Sequence, residues 1–218
     1  MKKLFAMVVV LFVCMSHVNA QKELDRFFFK NFQTTDVYYN DGRHFQIEAN
    51  YDLIKGSFVF IDTYENNMLK LFGEQEKISA IKIGNRTFLP SRFGPTEIVQ
   101  DEPRFAVYYK PHLLDKGRDS GYGTTSHASA TRTYSHWTSY SGSTNYLVKE
   151  NTYVNKINKI YVIELNGKEK QFDSFKRFLK LYSKQKKELQ AYITLHSVDY
   201  NSPMQVLELY KYAESIVK

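Results

Sequence analysis

The side chains best able to do chemistry in this sequence gather in one stretch, residues 116–145. It carries the neighbours Ser126-His127 and Ser135-His136, together with Tyr122, Tyr134, Trp137 and Tyr140. A hydroxyl beside an imidazole suggests a serine hydrolase, in which the ring takes the nucleophile's proton. Chain neighbours do not normally present a base to the adjacent hydroxyl, however. No Gly-x-Ser-x-Gly elbow occurs, and the loop offers no rigid seat for an oxyanion hole. An envelope hydrolase using His127 or His136, with a serine or carboxylate brought near by folding, is therefore kept as an alternative. The aromatics point elsewhere. Gly, Ser and Tyr together are the composition of binding loops, because Tyr gives large contact area at small entropic cost. Trp137 with Tyr134 and Tyr140 suits stacking on a sugar ring, so Tyr122, Tyr134, Trp137 and Tyr140 are the candidate ligand-binding residues. The competing reading is a solvated insertion, or a β-excursion whose aromatics cover the sheet.

Other constellations are thinner. Beyond His17 in the N-terminal leader there are five histidines, His44, His112, His127, His136 and His196, and none forms a His-x-His or His-x-x-x-His pair. No metal site, cofactor or catalytic residue is assigned. Asp52 and Asp62 flank a predicted hairpin, and paired carboxylates can serve glycoside hydrolysis, but Asp at strand ends far more often forms turns. Lys176, Arg177, Lys180, Lys184, Lys186 and Lys187 form a basic run that suits anionic lipid or polysaccharide, or simply a solvated helix face.

The elements that must position these groups are mostly strands. Asp41-Gly42, Lys55-Gly56, Asn66-Asn67, Gly84-Asn85 and Asn166-Gly167 are turn signals. Between them Phe45, Ile47, Ala49 and Tyr51 alternate with polar residues at the period of a half-buried strand. Ser57–Asp62 is apolar on both faces and predicts a central strand. Phe27, Phe28, Phe29 and Phe32 are expected to dock on the sheet as a short helix or an edge strand. After residue 172 the spacing turns helical: Phe172, Phe175, Phe178, Leu179 and Tyr182, then Leu189, Tyr192 and Ile193. A last helix has Ser202 as N-cap, Pro203 at its first position and Gln205 completing a capping box. The fold class expected is α+β: an antiparallel twisted sheet or open β-barrel built from successive hairpins, with C-terminal helices packed on it. The sheet occupies residues 36–172 and the helices 173–217, all within one domain spanning 21–218.

The first twenty residues predict a cleaved signal peptide: Lys2 and Lys3, an apolar run from Leu4 to Met15, and small residues at Val18 and Ala20. The one cysteine, Cys14, leaves with it, so no disulfide or thiol nucleophile is expected afterwards. Loss of the two lysines lowers the net charge from +7 to +5, a mild basicity that with export argues against a nucleic-acid partner. No later apolar run predicts a transmembrane helix. The expected location is the periplasm or the extracellular space.

Three blocks of the chain resemble a family of uncharacterised exported proteins of Bacteroides-type bacteria. The first holds Tyr39-Asn40-Asp41-Gly42, then Asn50-Tyr51-Asp52-Leu53-Ile54-Lys55-Gly56, Phe60-Ile61-Asp62 and Ile81-Lys82-Ile83-Gly84-Asn85-Arg86. The second is Gly121-Tyr122-Gly123-Thr124-Thr125-Ser126. The third is Phe178-Leu179-Lys180 with the Lys-rich helix after it and Leu209-Tyr210. The resemblance implies export and architecture and carries no activity. The expected function is a non-catalytic binding or interaction module at the cell envelope, meeting a glycan or an envelope protein. A structural protein pairing through a sheet edge is the further alternative.

Overall fold

The computed structural model describes residues 25–115, 118–119, 125–126 and 152–217. Twelve strands are described: β1 Gln33–Tyr39, β2 His44–Asp52, β3 Ser57–Asp62, β4 Met68–Leu71, β5 Ile78–Ile83, β6 Arg86–Leu89, β7 Thr96–Gln100, β8 Phe105–Asp115, β9 Arg118–Asp119, β10 Thr125–Ser126, β11 Thr152–Leu165 and β12 Lys168–Phe172. Three helices close the chain: α1 Phe175–Leu181, α2 Lys186–Leu195 and α3 Pro203–Val217. Ten strands form one sheet in the order β12-β11-β8-β7-β6-β5-β1-β2-β3-β4, and every pairing in it is antiparallel. The expected α+β class, a twisted hairpin sheet with C-terminal helices on it, is the observed one.

The turns follow from residues that tolerate positive φ. Asn166 (φ 53°) and Gly167 (φ 67°) both take it, the pairing a tight β11–β12 hairpin requires. At Asp41-Gly42 only Gly42 does, at φ 86°. Tyr39 there donates its N–H to the Arg43 carbonyl at 2.9 Å.

The register sorts the side chains onto two faces. A cross-strand row runs Phe45, Val37, Ile81, Phe88, Glu97, Val107, Tyr161 and Phe172, in the order β2, β1, β5, β6, β7, β8, β11, β12. Apart from Phe45 at the rim, its members are buried. This face is closed in two ways. On the β1–β6 side the sheet curls over itself. The Phe58 ring of β3 and the Phe88 ring of β6 have centroids 5.2 Å apart. Four strand spacings would separate them by about 19 Å in a flat sheet. On the β8–β12 side the helices cover it, with Phe105 stacked on Tyr161 and Tyr210, and Phe172 against Phe178. The result is one hydrophobic cluster running from Val37 to Ala213.

Tyrosine hydroxyls tie the helical layer to the sheet. Tyr161 donates to the Tyr200 carbonyl at 2.6 Å, Tyr200 to the carbonyls of Lys159 and Phe172, and Tyr210 to that of Glu164. Each ring therefore fills core volume while its hydroxyl stays hydrogen-bonded, which avoids the cost of burying an unpaired polar group.

Several boundaries differ from expectation. Phe172 ends β12 and does not belong to the helix; Ser174 caps α1, accepting from the Arg177 N–H. The Phe-rich lead-in is neither helix nor full strand. It is an extended strap with an isolated bridge between Phe27 and Asp52. The sequence pattern reads as two strands, Tyr146–Val154 and Ile160–Leu165, whereas the described residues from Thr152 to Leu165 form a single strand, β11, bulged between Val154 and Lys156. β3, read as central, lies next to the edge strand β4. Gln205 caps differently from the box expected of it: its Oε1 accepts from the Asp199 N–H at 2.7 Å, while Ser202 Oγ accepts from the Gln205 N–H.

Burial is the largest cause raising the hydroxyl pKa of Tyr161, Tyr200 and Tyr182, and it pushes that of Tyr210 up to about 12. In the unfolded chain these groups ionise near pH ~10. Their raised pKa thus contributes stability that is whole below about pH 10 and is lost as pH rises through the folded-state values. In an absorbance titration at alkaline pH these tyrosines should ionise together with the loss of far-ultraviolet circular dichroism. Ionisation near pH ~10 with the dichroism intact would contradict it.

Candidate functional site

The charged group that most needs explaining is Glu97, placed by register in the middle of the core row. A β7 pattern of Thr96-Glu97-Ile98-Val99 puts Glu97 on the face that Val99 packs, partly buried, against the core. Its nearest neighbours across the ladders are Phe88 and Val107. Help comes diagonally. Arg86, two residues before Phe88, and Tyr109, two after Val107, both reach it.

Arg86 Nε and Nη2 approach the two Glu97 carboxylate oxygens at 2.6 and 2.5 Å, a fork-to-fork pair. The Tyr109 hydroxyl donates to Glu97 Oε2 at 2.6 Å and accepts from Arg86 Nη2 at 2.9 Å. Four rings surround the guanidinium: Phe28 at 4.7 Å from its carbon to the ring centre, Phe29 at 5.3 Å, and Phe88 and Tyr109 at 5.4 Å each. Cation–π attraction of this kind grows when water is excluded. Burial is the largest single influence on Arg86 and acts to lower its pKa, but the bonds and charges of Glu97 and Tyr109 together outweigh it and hold the guanidinium above its ordinary range. Burial, then the bond to Glu97, raises the Tyr109 hydroxyl well above the ordinary tyrosine value.

Phe28 and Phe29 arrive on the strap, residues 25–32, which is fastened at both margins. The Phe28 N–H donates to the Tyr51 carbonyl at 2.9 Å and the Leu53 N–H to the Arg26 carbonyl at 3.0 Å. Asn50, buried, clasps the backbone beyond: it accepts from the Phe29 N–H and donates to the carbonyls of Phe29 and Asn31. Arg26 pairs with the buried Asp52, which also accepts from the N–H groups of Ile54 and Lys55. Asp52 is therefore a turn former with an ion-pair partner. Asp62 is likewise committed, to the Tyr64 N–H and to Lys70 at 2.8 Å.

Chemically, the Arg86–Glu97–Tyr109 group is a closed set, with the carboxylate, the guanidinium and the hydroxyl bonded to one another. It locks β6, β7 and β8 to the strap. Neither Glu97 nor Tyr109 is left to act as a base toward an outside molecule. Sequence reasoning passes over all three residues. The one available signal is the acidic residue sharing a strand face with Val99.

The described histidines lie apart. His44 stacks on Tyr38 with Nε2 at 3.0 Å from Asp36, His112 lies 3.4 Å from the Asn155 amide, and His196 lies against Tyr192. No group of three His, Cys, Asp or Glu suited to a metal ion occurs among the described residues. A shallow depression on the outer sheet face has the in-register row Ile98, Ala106 and Val162 as its floor, with Phe93 and Arg104 beside it. Tyr122, Tyr134, Trp137 and Tyr140 lie outside the described residues, as do His127 and His136. What is described is their mounting. Asp115 and Thr152 pair directly at the end of the β8–β11 ladder, with Thr152 Oγ1 at 3.2 Å from Asp115 Oδ1. Just beyond, β9 pairs with β10.

Glu97→Leu would leave Arg86 in an aromatic box without its counter-ion. It should lower unfolding free energy by about 3 kcal/mol in denaturant titration, the cost of breaking a buried pair from one side. Arg86→Met combined with Glu97→Leu should recover part of that loss. Equal losses in the single and double variants would contradict the pairing. Compared with known protein families, curated proteins and solved structures, the chain matches none of them.

Proposed function

We propose that this protein is an exported, non-catalytic binding module of the cell envelope, meeting a glycan or an envelope protein through Tyr122, Tyr134, Trp137 and Tyr140. The observation that carries the reading is the mounting of residues 116–151. The two strand ends that flank this excursion are paired to each other, at the tip of a ladder reaching from Phe105–Ile163 to Asp115–Thr152. A large Tyr-, Ser- and Gly-rich segment is thus inserted between the paired ends of β8 and β11. Such a placement suits recognition by loops on a rigid scaffold. The core supports the reading too, since its ion pair is closed on itself and its apolar face is filled by the chain's own rings.

A second reading, assembly through a sheet edge, is favoured by β4. Among the described residues this strand has a partner on one side only. Met68 is 57 % exposed, and Tyr64 at the hairpin tip is 98 % exposed. The strand is only four residues long and Lys70 within it is neutralised by Asp62 and Glu65. A short edge is one of the ways proteins limit strand addition. The loop reading is therefore preferred.

Pull-down of envelope glycans and proteins with the processed protein, repeated with Tyr134, Trp137 and Tyr140 changed to Ala, tests the proposal. Loss of the captured ligand in the triple variant, at unchanged melting temperature, is the expected result. Capture by the variant at the original level would remove the loop from consideration.

A further inference from the structure

The helical layer carries a second surface that the loop reading does not use. Residues 176–187 contain six basic side chains and no acidic one. They lie on α1, the 3₁₀ turn Ser183–Gln185 and the start of α2, which are packed together. Phe178, Leu179 and Leu189 turn inward and are buried. At about 100° per residue, Lys176 and Lys180 fall on the outward side of α1 and Lys187 on that of α2. All six basic residues are exposed. Arg177 pairs with Asp173 at 3.0 Å, whereas Lys176, Lys180, Lys184, Lys186 and Lys187 have no ion-pair or hydrogen-bond partner among the described residues.

Five unpaired, exposed lysines outnumber the nearby acids, Asp173 paired with Arg177 and Glu188 bound by the Tyr212 hydroxyl, and leave a net positive field. Such a field attracts an extended anionic surface. The apolar neighbours say which kind. Leu195, about two turns along α2 from Lys187 and about 80° round the helix from it, is 80 % exposed, and Met204 at the start of α3 is 60 % exposed. Exposed lysines on a helical layer that also exposes Leu195 and Met204 are what an interfacial surface uses, the cations meeting headgroup phosphates while the apolar tips enter the acyl boundary. An anionic polysaccharide would satisfy the lysines but give Leu195 and Met204 nothing apolar to enter.

We infer that the α1–α2 face docks on the surface of a bilayer containing anionic phospholipid. The assignment is independent of residues 116–151. Co-sedimentation of the processed protein with vesicles of phosphatidylcholine alone, and with added phosphatidylglycerol, tests it. The expected result is binding to the anionic vesicles only, weakened at least about tenfold by high salt. Lys180→Glu, Lys184→Glu and Lys187→Glu together should weaken it by about tenfold or more at unchanged melting temperature, with the corresponding Gln variant showing a smaller loss in the same direction. Leu195→Ser should weaken it less than the charge reversal, and the Tyr134, Trp137, Tyr140 triple variant should bind as the parent does. The inference is overturned by equal binding to both vesicle types, by absence of binding to anionic vesicles at low salt, or by binding indifferent to the lysines or to Leu195. Retention on an anionic polysaccharide without vesicle binding, or loss of vesicle binding in the aromatic-loop variant, would overturn it as well.

Discussion

One carboxylate sets the terms for this structure. Glu97 occupies the middle of a cross-strand row whose other inner members are Val37, Ile81, Phe88, Val107, Tyr161 and Phe172. A lone carboxylate there would carry a desolvation penalty of several kcal/mol. Arg86 and Tyr109 offset it, and the guanidinium they share is in turn enclosed by Phe28 and Phe29 from the strap. The strap stays because Asn50, the Tyr51 carbonyl and the Leu53 N–H hold its backbone, while Asp52 pairs with its Arg26 side chain. The ion pair thereby links β6, β7 and β8 to residues distant in sequence. It makes the closure of the curled half depend on the segment that precedes the first strand.

The helical half solves the same problem mainly with tyrosine hydroxyls in place of an ion pair. Its interior is lined with tyrosines, each ring packed and each hydroxyl given to a backbone carbonyl or, for Tyr182, to Glu214. The high aromatic content of the chain is explained by this use: a ring large enough to bridge sheet and helix, with a hydroxyl that needs one acceptor at the far side. Tyr51 is the exception, a buried hydroxyl without a partner among the described residues. The two halves meet along β8, whose Phe105 faces Tyr161 and Tyr210 while Tyr109 faces Arg86 and Phe28. The function proposals follow from this division. The inner face is given over to side chains of the chain itself, and both proposed recognition surfaces are placed outside it.

Much of the architecture is legible in the sequence because local rules decide it. Asn166-Gly167 dictates a hairpin, Ser202-Pro203 a helix start, and the alternation after Phe45 a strand, although Phe45 itself is exposed and Asn50 and Asp52 on the opposite face are buried. The failures have physical causes. Phe172 matches helical spacing with Phe175 and Phe178 because a strand end and a following helix can bury neighbouring rings in one core. The β11 strand reads as two because the polar residues Asn155, Lys156 and Asn158 interrupt its apolar pattern. A bulge and an exposed margin accommodate them. The curl that brings Phe58 to Phe88 is a property of accumulated strand twist, which no short window contains. Glu97, Arg86 and Tyr109 escape notice for a related reason: their meeting depends on register across three strands. The aromatic loop residues stand out by composition, and their mounting on paired strand ends becomes visible only with the β8–β11 ladder in view.

The central claim is that strap, curled sheet and helices share one core. Native-state hydrogen exchange measures it most directly, residue by residue, as the free energy of the opening that exposes each amide. The account predicts that the slowest amides of β1, β5, β8, β11 and α3 open together, with one free energy and one dependence on denaturant. If α1–α3 instead exchanged as a unit at a lower free energy while β1–β7 stayed protected, the shared core would be contradicted.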